Sequence, residues 1–103
     1  EGHIVQGHID GVGQIASITP EGNSHIFRFQ VPQKISATIV AKGSITVNGI
    51  SLTVIDAGTD WFTVGIIPYT MSHTTLAYAK KGDRVNIETD ILVKYMHKLL
   101  HKA

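Results

Sequence analysis

Hydrophobic and polar residues alternate along most of this chain, with the period that is typical of β-strands. Between residues 25 and 31, Phe27 and Phe29 fall on one face, while Arg28 and Gln30 fall on the other. A glycine-rich segment at the start of the chain has the composition of a bent strand. Together these patterns predict about six strands, at residues 5–18, 25–31, 44–47, 50–56, 61–67 and 84–89.

Turn signals separate the predicted strands. Asn48-Gly49 predicts a tight hairpin, because both residue types tolerate a positive φ angle. Pro32 and Pro68 each end a strand, since proline cannot donate to a sheet ladder. Two segments stay ambiguous: residues 35–40 fit a short helix or a covered segment, and residues 71–79 fit a helical turn.

The period changes to that of a helix after Asp90, for which Thr89 or Asp90 is a suitable N-cap. The apolar stripe of this helix is most simply explained by packing against the core, and it consists of Leu92, Tyr95, Met96, Leu99 and Leu100. Strands followed by one terminal helix predict an all-β fold, a small β-barrel or sandwich in a single domain.

Composition narrows the functional classes. The 103 residues suffice for one domain, with 43% hydrophobic and 17% charged residues. A net charge of +1 and the lack of a basic run argue against nucleic acid or an anionic membrane as partner. The apolar runs are too short to cross a membrane. The chain has no cysteine, which excludes disulfides and thiolate zinc sites and fits a cytoplasmic location.

The strand after the hairpin carries the clearest candidate chemistry. Ser51 and Thr53 share one face, where two hydroxyls could hydrogen-bond a polar ring; the alternative is that they simply face water. His8 is a candidate for proton transfer or an ordinary structural histidine. Asp90 is an N-cap or a carboxylate that orients a partner.

The remaining polar residues give weaker signals. Lys42 precedes Gly43 and is an ordinary surface lysine unless a ligand lies nearby. His97 and His101 have the i, i+4 spacing of metal ligands, but neighbouring lysines and the lack of a third ligand favour a solvated helix face. No metal site is predicted.

Short motifs that match one known protein family are spaced, in the family's order, along nearly the whole chain. They are Gly2-His3, residues 5–11, Lys42-Gly43, residues 48–54, Ile66-Ile67-Pro68 with Thr70, Thr74-Thr75-Leu76, Gly82-Asp83, residues 85–88 and Asp90. Each is weak alone, but in this order and spacing they make the chain resemble riboflavin synthase, and specifically the second of its two barrels.

The resemblance implies a six-stranded Greek-key β-barrel with a C-terminal α-helix. Residues 1–103 would form one lumazine-binding domain, and the family's first barrel, with its Met-Phe-Thr-Gly opening, is absent from this sequence. Family members are homotrimers that use the terminal helix for contacts. Each active site lies between the first barrel of one subunit and the second barrel of its neighbour, so this chain would supply half of each site.

The resemblance also implies a reaction and its residues. Two molecules of 6,7-dimethyl-8-ribityllumazine exchange a four-carbon unit to give riboflavin and a ribitylamino-pyrimidinedione, with neither metal nor organic cofactor. Ser51 and Asp90 would relay a proton beside the ring, and His8 would assist. The substrate-binding residues would be Gly7, His8, Ile9, Lys42, Ser51, Leu52, Thr53, Gly65, Ile66, Ile67, Pro68, Tyr69 and Thr70.

Two other functions are compatible with the same fold. Lumazine proteins of luminous bacteria share it and bind lumazine or flavin as a non-catalytic optical antenna. A stand-alone barrel could also have a structural role and assemble through its helix, with an empty pocket. The presence of Ser51, His8 and Asp90 together favours the enzyme over the antenna.

Overall fold

The computed structural model describes residues 9–89 and 91–100. Its elements alternate short strands with brief helical segments. They are β1 (Gly11–Glu21), β2 (Ser24–Gln30), α1 (Gln33–Ser36), β3 (Ser44–Val47), β4 (Ile50–Ala57), β5 (Trp61–Ile66), α2 (Pro68–His73), a 3₁₀ helix (Thr75–Tyr78), β6 (Arg84–Thr89) and α3 (Ile91–Leu100).

The six strands form one closed antiparallel barrel, in the order β1-β2-β5-β4-β3-β6. Strands β3, β4 and β5 are successive neighbours, and β6 returns to lie beside β3, which is a Greek-key arrangement. The predicted all-β barrel with a C-terminal helix is therefore confirmed. Closure leaves no strand edge unpaired around the barrel, which removes the main route to edge-to-edge aggregation.

The core fills the inside of the barrel with inward-facing side chains from every strand. Three aromatic rings lie at its centre: Phe29 stacks on Phe62 with ring centroids 4.9 Å apart, and Phe27 is 6.0 Å from Phe29. Ile35 of α1 and Leu76 of the 3₁₀ helix are also buried, and they close opposite ends of the barrel. Among the side chains whose burial the structure describes, the core cluster includes none from α3.

Strand β1 is irregular just after the glycines at which the sequence predicts a bend. Its register with β2 shifts between Ile15 and Ser17. Gly13 packs closely on the neighbouring strand, because a Cβ atom there would lie 2.9 Å from Val31 Cγ1 and 3.0 Å from the Gln30 carbonyl oxygen. The part of the predicted strand before Ile9 lies outside the described residues.

The hairpin at Asn48-Gly49 has the predicted geometry, with φ angles of 48° and 83°. The Asn48 side chain also extends the sheet. Its Oδ1 accepts a hydrogen bond from the Asn86 backbone N–H at 2.7 Å, and its own N–H donates to the Asn86 carbonyl at 2.9 Å. The turn therefore fastens β3 and β4 to β6.

Of the two ambiguous segments, residues 71–79 are mostly helical, whereas residues 35–40 are helical only at Ile35 and Ser36 and then form a turn. Residues 33–36 form α1, and α2 begins at Pro68 rather than after it. Proline suits the first position of a helix, because its missing N–H would have no partner there and its φ angle is already helical. The strand predicted for residues 61–67 consequently ends at Ile66, with Ile67 as the N-cap of α2.

The interpretation of the α3 stripe as core packing is wrong for the side chains that the structure describes. Tyr95, Met96 and Leu99 are each more than half exposed, and Leu100 is more exposed still. Helical periodicity shows that one face of α3 is apolar, but it does not show that the face is covered. The Leu92 side chain, the other member of the predicted stripe, lies outside the side chains that the structure describes.

Replacing Phe62 by Ala should lower the free energy of unfolding by about 3–5 kcal/mol, because it leaves a cavity beside Phe29 at the centre of the core. Chemical denaturation would measure this loss. Tyr78→Ala is the control: its side chain is 82% exposed, so a change within about 0.5 kcal/mol is expected. Equal losses in the two variants would contradict this account of the core.

Candidate ligand-binding face

Strand β4 turns its two hydroxyl side chains to the outside of the barrel. Ser51 and Thr53 are exposed, while Leu52 and Val54 are 8% and 1% exposed and belong to the core. The predicted alternation is confirmed. Residues two apart in a strand are about 7 Å apart, so the two hydroxyls stand at a spacing that one fused ring system can bridge.

Beside these hydroxyls, the outer face of β5 is bare backbone at Gly65. Gly65 pairs with Ile26 of β2. On its other side, Val64 pairs with Val54, so the next residues along the two antiparallel strands, Gly65 and Thr53, lie next to each other. A Cβ atom at Gly65 would lie 3.4 Å from Ile55 Cδ1 and 3.8 Å from Ile26 Cδ1.

Gly65 with its two flanking isoleucines forms a flat apolar floor, and we refer to Ile26, Ile55 and Gly65 as the Gly65 floor. Ile55 continues the outward alternation of Ser51 and Thr53 and is 49% exposed. The pairing of β4 with β5 shifts register between Val54 and Asp56, so Asp56 rather than Ile55 stands opposite Thr63. A planar heterocycle can lie flat on such a floor with one edge at the β4 hydroxyls.

The other edge of β4 is irregular at the same level. The Lys42 N–H donates to the Val54 carbonyl at 2.7 Å, and the Val54 N–H donates to the Gly43 carbonyl at 2.9 Å, so two residues face one. Lys42 adopts a φ of 71°, which is rare for a residue with a side chain. This geometry holds an exposed lysine at the margin of the floor.

The segment that follows β5 lies at the end of the floor where β5 leads into α2. Ile67 and Tyr69 are 55% and 67% exposed, and Thr70 is half-buried. The Tyr69 ring stacks on His73 with centroids 4.0 Å apart. Pro68 has no N–H, and the Ile67 carbonyl accepts a hydrogen bond from the Met71 N–H at 3.0 Å. The Ile67 N–H, at the N-cap of α2, is a candidate backbone donor for a ligand in this segment.

Two of the predicted ligand-binding residues point away from this face. The side chains of Leu52 and Ile66 are buried in the core, at 8% and 0% exposure, so only their backbone atoms can reach an outside ligand. The structure thus brings together Ser51, Thr53, Gly65 and Ile67 on one surface, with Lys42 and Tyr69 at its margins.

The remaining predicted residues belong to the segments that enter and leave the barrel. Gly7, His8 and Asp90 lie outside the described residues. Ile9 is 54% exposed, and next to it Asp10 accepts hydrogen bonds at its Oδ2 from the Thr89 N–H at 2.7 Å and the Thr89 hydroxyl at 3.0 Å. This Asp10–Thr89 clamp joins the two segments at one end of the barrel.

Strand β3 lies between Ser51 and the strand that leads to Asp90. Thr46 pairs with Ser51 on one side and with Glu88 on the other. Strands lie about 4.8 Å apart, so β4 and β6 are about 10 Å apart across β3. The Ser51–Asp90 relay stays a prediction, because Asp90 lies outside the described residues.

Three cavities of about 540, 330 and 190 Å³ lie elsewhere on the barrel, and none of the three is lined by Ser51, Thr53 or Gly65. The candidate face itself is formed by exposed residues, among them Ser51, Thr53 and Gly65. In the part of the chain that the structure describes, no three His, Asp or Glu side chains come together as a metal site. No helix in that part is long and apolar enough to cross a membrane.

Comparison with known proteins agrees with this geometry. A family model described as the lumazine binding domain matches residues 6–90. The chain belongs to the lumazine-binding domain family. The match includes both strands of the candidate face and the whole barrel.

Relatives of this lumazine-binding domain are named riboflavin synthase. The protein from Actinobacillus pleuropneumoniae is 50% identical over 101 residues, which cover 98% of this chain and 47% of that protein. The protein from Mycobacterium tuberculosis is 46% identical over 105 residues (99% and 52%), and that from Bacillus subtilis 41% over 102 residues (99% and 47%). The chain spans about half the length of these relatives.

Solved structures give the same fold with bound ligands. The crystal structure of LumP with 6,7-dimethyl-8-(1'-D-ribityl)lumazine is 26% identical, with a TM-score of 0.75, over 84% of this chain and 48% of that one. LumP structures with flavin mononucleotide and with riboflavin both have a TM-score of 0.76 and cover 82% of this chain, with 48% and 46% of the LumP chain respectively.

Replacing Lys42 by Gly should raise the free energy of unfolding by up to about 1 kcal/mol. The reason is that glycine adopts the positive φ of position 42 without a steric penalty. Thermal or urea unfolding would show the change. Lys42→Ala keeps the backbone strain and is expected to stay within about 0.5 kcal/mol of the original protein. A marked loss of stability in both variants would show that the lysine side chain supports the fold instead.

Proposed function

We propose that this domain binds 6,7-dimethyl-8-ribityllumazine and riboflavin on the outer face of β4 and β5, and acts as half of a riboflavin synthase site. The observation that carries the proposal is the Gly65 floor beside the hydroxyls of Ser51 and Thr53. It supplies a flat apolar surface and an adjacent row of hydrogen-bonding groups, which a planar, polar-edged heterocycle needs. The identity of 41–50% to riboflavin synthases supports the same conclusion.

The face suggests how the ring is held. The ring lies over Gly65 between Ile26 and Ile55, where it removes apolar surface from water. Its pyrimidine edge points to β4 and to the end of β5, and there the Thr53 hydroxyl and the Ile67 N–H hydrogen-bond its oxygen and nitrogen atoms. Side chains larger than glycine at position 65 would lift the ring away from these partners.

The reaction requires little from the protein beyond position and proton transfer. One lumazine gives its four-carbon unit, C6 and C7 with their methyl groups, to a second lumazine; the products are riboflavin and a ribitylamino-pyrimidinedione. All atoms of the two substrates are kept, so neither an oxidant nor a cofactor is needed. The 7-methyl proton is acidic because its carbanion delocalises into the ring, and a nearby base only has to remove it.

The proton-transfer groups would be Ser51, Asp90 and His8. The exposed Ser51 hydroxyl lies beyond Thr53, on the pyrimidine-edge side of the floor, so it would act on the 7-methyl proton through a water or another relay group rather than by direct contact. Asp90 activates it or relays its proton, and His8 moves a proton on the second substrate. Gly7, Ile9, Tyr69 and Thr70 would line the margins of the site.

An open face implies a partner that covers it. A single lumazine on the Gly65 floor has one ring face exposed, and the reaction needs a second lumazine against it. A second barrel would supply this ligand, and Lys42, exposed at the margin, would contact it. We propose a homotrimeric, cytoplasmic enzyme in which such pairs of barrels form the sites.

The alternative is a non-catalytic domain that binds lumazine or flavin as an optical antenna. The LumP structures with the same fold and with lumazine, flavin mononucleotide or riboflavin bound favour this candidate. The enzyme is preferred because the riboflavin synthases are more similar in sequence to this chain than LumP is.

A fluorescence titration with 6,7-dimethyl-8-ribityllumazine and with riboflavin tests the proposal, with riboflavin production followed in the same samples. Micromolar binding is expected for both ligands. Binding with product formation identifies the enzyme, whereas binding without product in a complete two-barrel assembly identifies the antenna. If no binding occurs up to millimolar ligand, the face is not a lumazine site.

Gly65→Val should weaken lumazine binding at least about tenfold, because the added methyl groups occupy the floor and displace the ring. Thr53→Val should weaken it by about fivefold through the loss of one hydrogen bond. Thr75→Val, which changes an exposed threonine of the 3₁₀ helix beside a cavity away from this face, is the matched control and should leave the affinity unchanged. Unchanged affinity in both site variants would place the ligand elsewhere.

Ser51→Ala is expected to lower turnover by about 100-fold in an assembly that makes riboflavin, while lumazine affinity changes only a few-fold. Single-turnover product formation and the titration above give the two numbers. Turnover within a few-fold of the original protein would exclude Ser51 from proton transfer.

A further inference from the structure

A cationic side chain lies on the same outer face as the Gly65 floor. The Arg28 guanidinium carbon is 4.0 Å from the ring centroid of Trp61. Trp61 is itself held in place, since a Cβ atom at Gly58 would overlap its indole, 2.2 Å from Nε1. The guanidinium therefore stacks on the indole ring of Trp61. This cation–π contact favours one position of the long, flexible arginine side chain.

The strand register gives the position of Arg28 relative to the floor. Ile26 pairs with Gly65 and Arg28 pairs with Thr63. Arg28 and Gly65 are therefore diagonal neighbours, whose backbones lie about 7–8 Å apart. Trp61 lies a further two residues along β5, so the guanidinium extends away from the floor on the side opposite Ile67.

The donor edge of Arg28 is available to a ligand. Arg28 is exposed, and among the residues that the structure describes no carboxylate forms an ion pair with it. The carboxylate of Asp60, which precedes Trp61, accepts a hydrogen bond from Gln30 Nε2 at 3.4 Å. When a guanidinium stacks on an aromatic ring, its N–H groups still point outward in the guanidinium plane. There they can donate to two oxygens of one phosphate.

We propose that Arg28 binds the terminal phosphate of a phosphorylated ribityl ligand whose ring lies on the Gly65 floor. This inference rests on the proposed function, which turns the pyrimidine edge of the ring toward Thr53 and Ile67. The ribityl chain then leaves the far half of the ring and runs along β5 past Thr63. Its end reaches the Arg28–Trp61 pair, so the domain distinguishes a ribityl phosphate from a free ribityl alcohol.

The test compares riboflavin with riboflavin 5'-phosphate in fluorescence titrations of the full chain at low ionic strength. The original protein should bind the phosphate ester about fivefold more tightly, the advantage expected of a solvent-exposed charge pair. Arg28→Gln should remove this difference and leave the affinity for riboflavin unchanged. Arg84→Gln, which removes the same charge on β6, should preserve it.

Salt provides a second measurement that needs no variant. Raising the salt concentration to about 0.5 M should abolish the advantage of the phosphate ester in the original protein and leave riboflavin binding intact, because exposed charges are screened. Equal affinities for the two ligands at low salt, or an equal loss of both in Arg28→Gln, would overturn the inference alone. If neither ligand binds, the proposed function fails with it.

Discussion

The closure of the barrel is the constraint on which the functional surface depends. Each strand is paired on both sides, so its side chains must point alternately into the core and out to solvent. Burial of Leu52 and Val54 therefore orients Ser51 and Thr53 outward, and burial of Val64 and Ile66 leaves Gly65 on the surface between them. The core thus holds the hydroxyls and the floor in register without any contact dedicated to that purpose.

Irregularities in the sheet then adapt this regular surface to a ligand. The bulge at Ile55 shifts the pairing of β4 with β5 just beyond the floor, and the irregular pairing at Lys42 places a charged residue on the other side of β4. Bulges are common where a sheet has to aim a side chain at a site. Together with Gly65, they convert a plain β surface into one with a flat centre, an apolar border and a polar row.

Local patterns were sufficient to predict most of the fold and part of the face. Alternation placed the strands, and Asn48-Gly49 fixed both a turn and the direction of Ser51, because turn chemistry and side-chain period are local properties. The floor could not be predicted in the same way, since Ile26, Ile55 and Gly65 come from three strands and meet only through their register. The exposed stripe of α3 was misinterpreted because periodicity shows that one face of a helix is apolar, but not what covers it.

The Asp10–Thr89 clamp has a consequence for how such a domain can be combined with others. It joins the residue before β1 to the last residue of β6 with two hydrogen bonds, so the chain enters and leaves the barrel at neighbouring points. A unit with adjacent ends can be duplicated in tandem, or inserted within another protein, without rearranging its strands. Modularity of this kind follows from an even number of antiparallel strands and a single carboxylate that holds the first and last of them together.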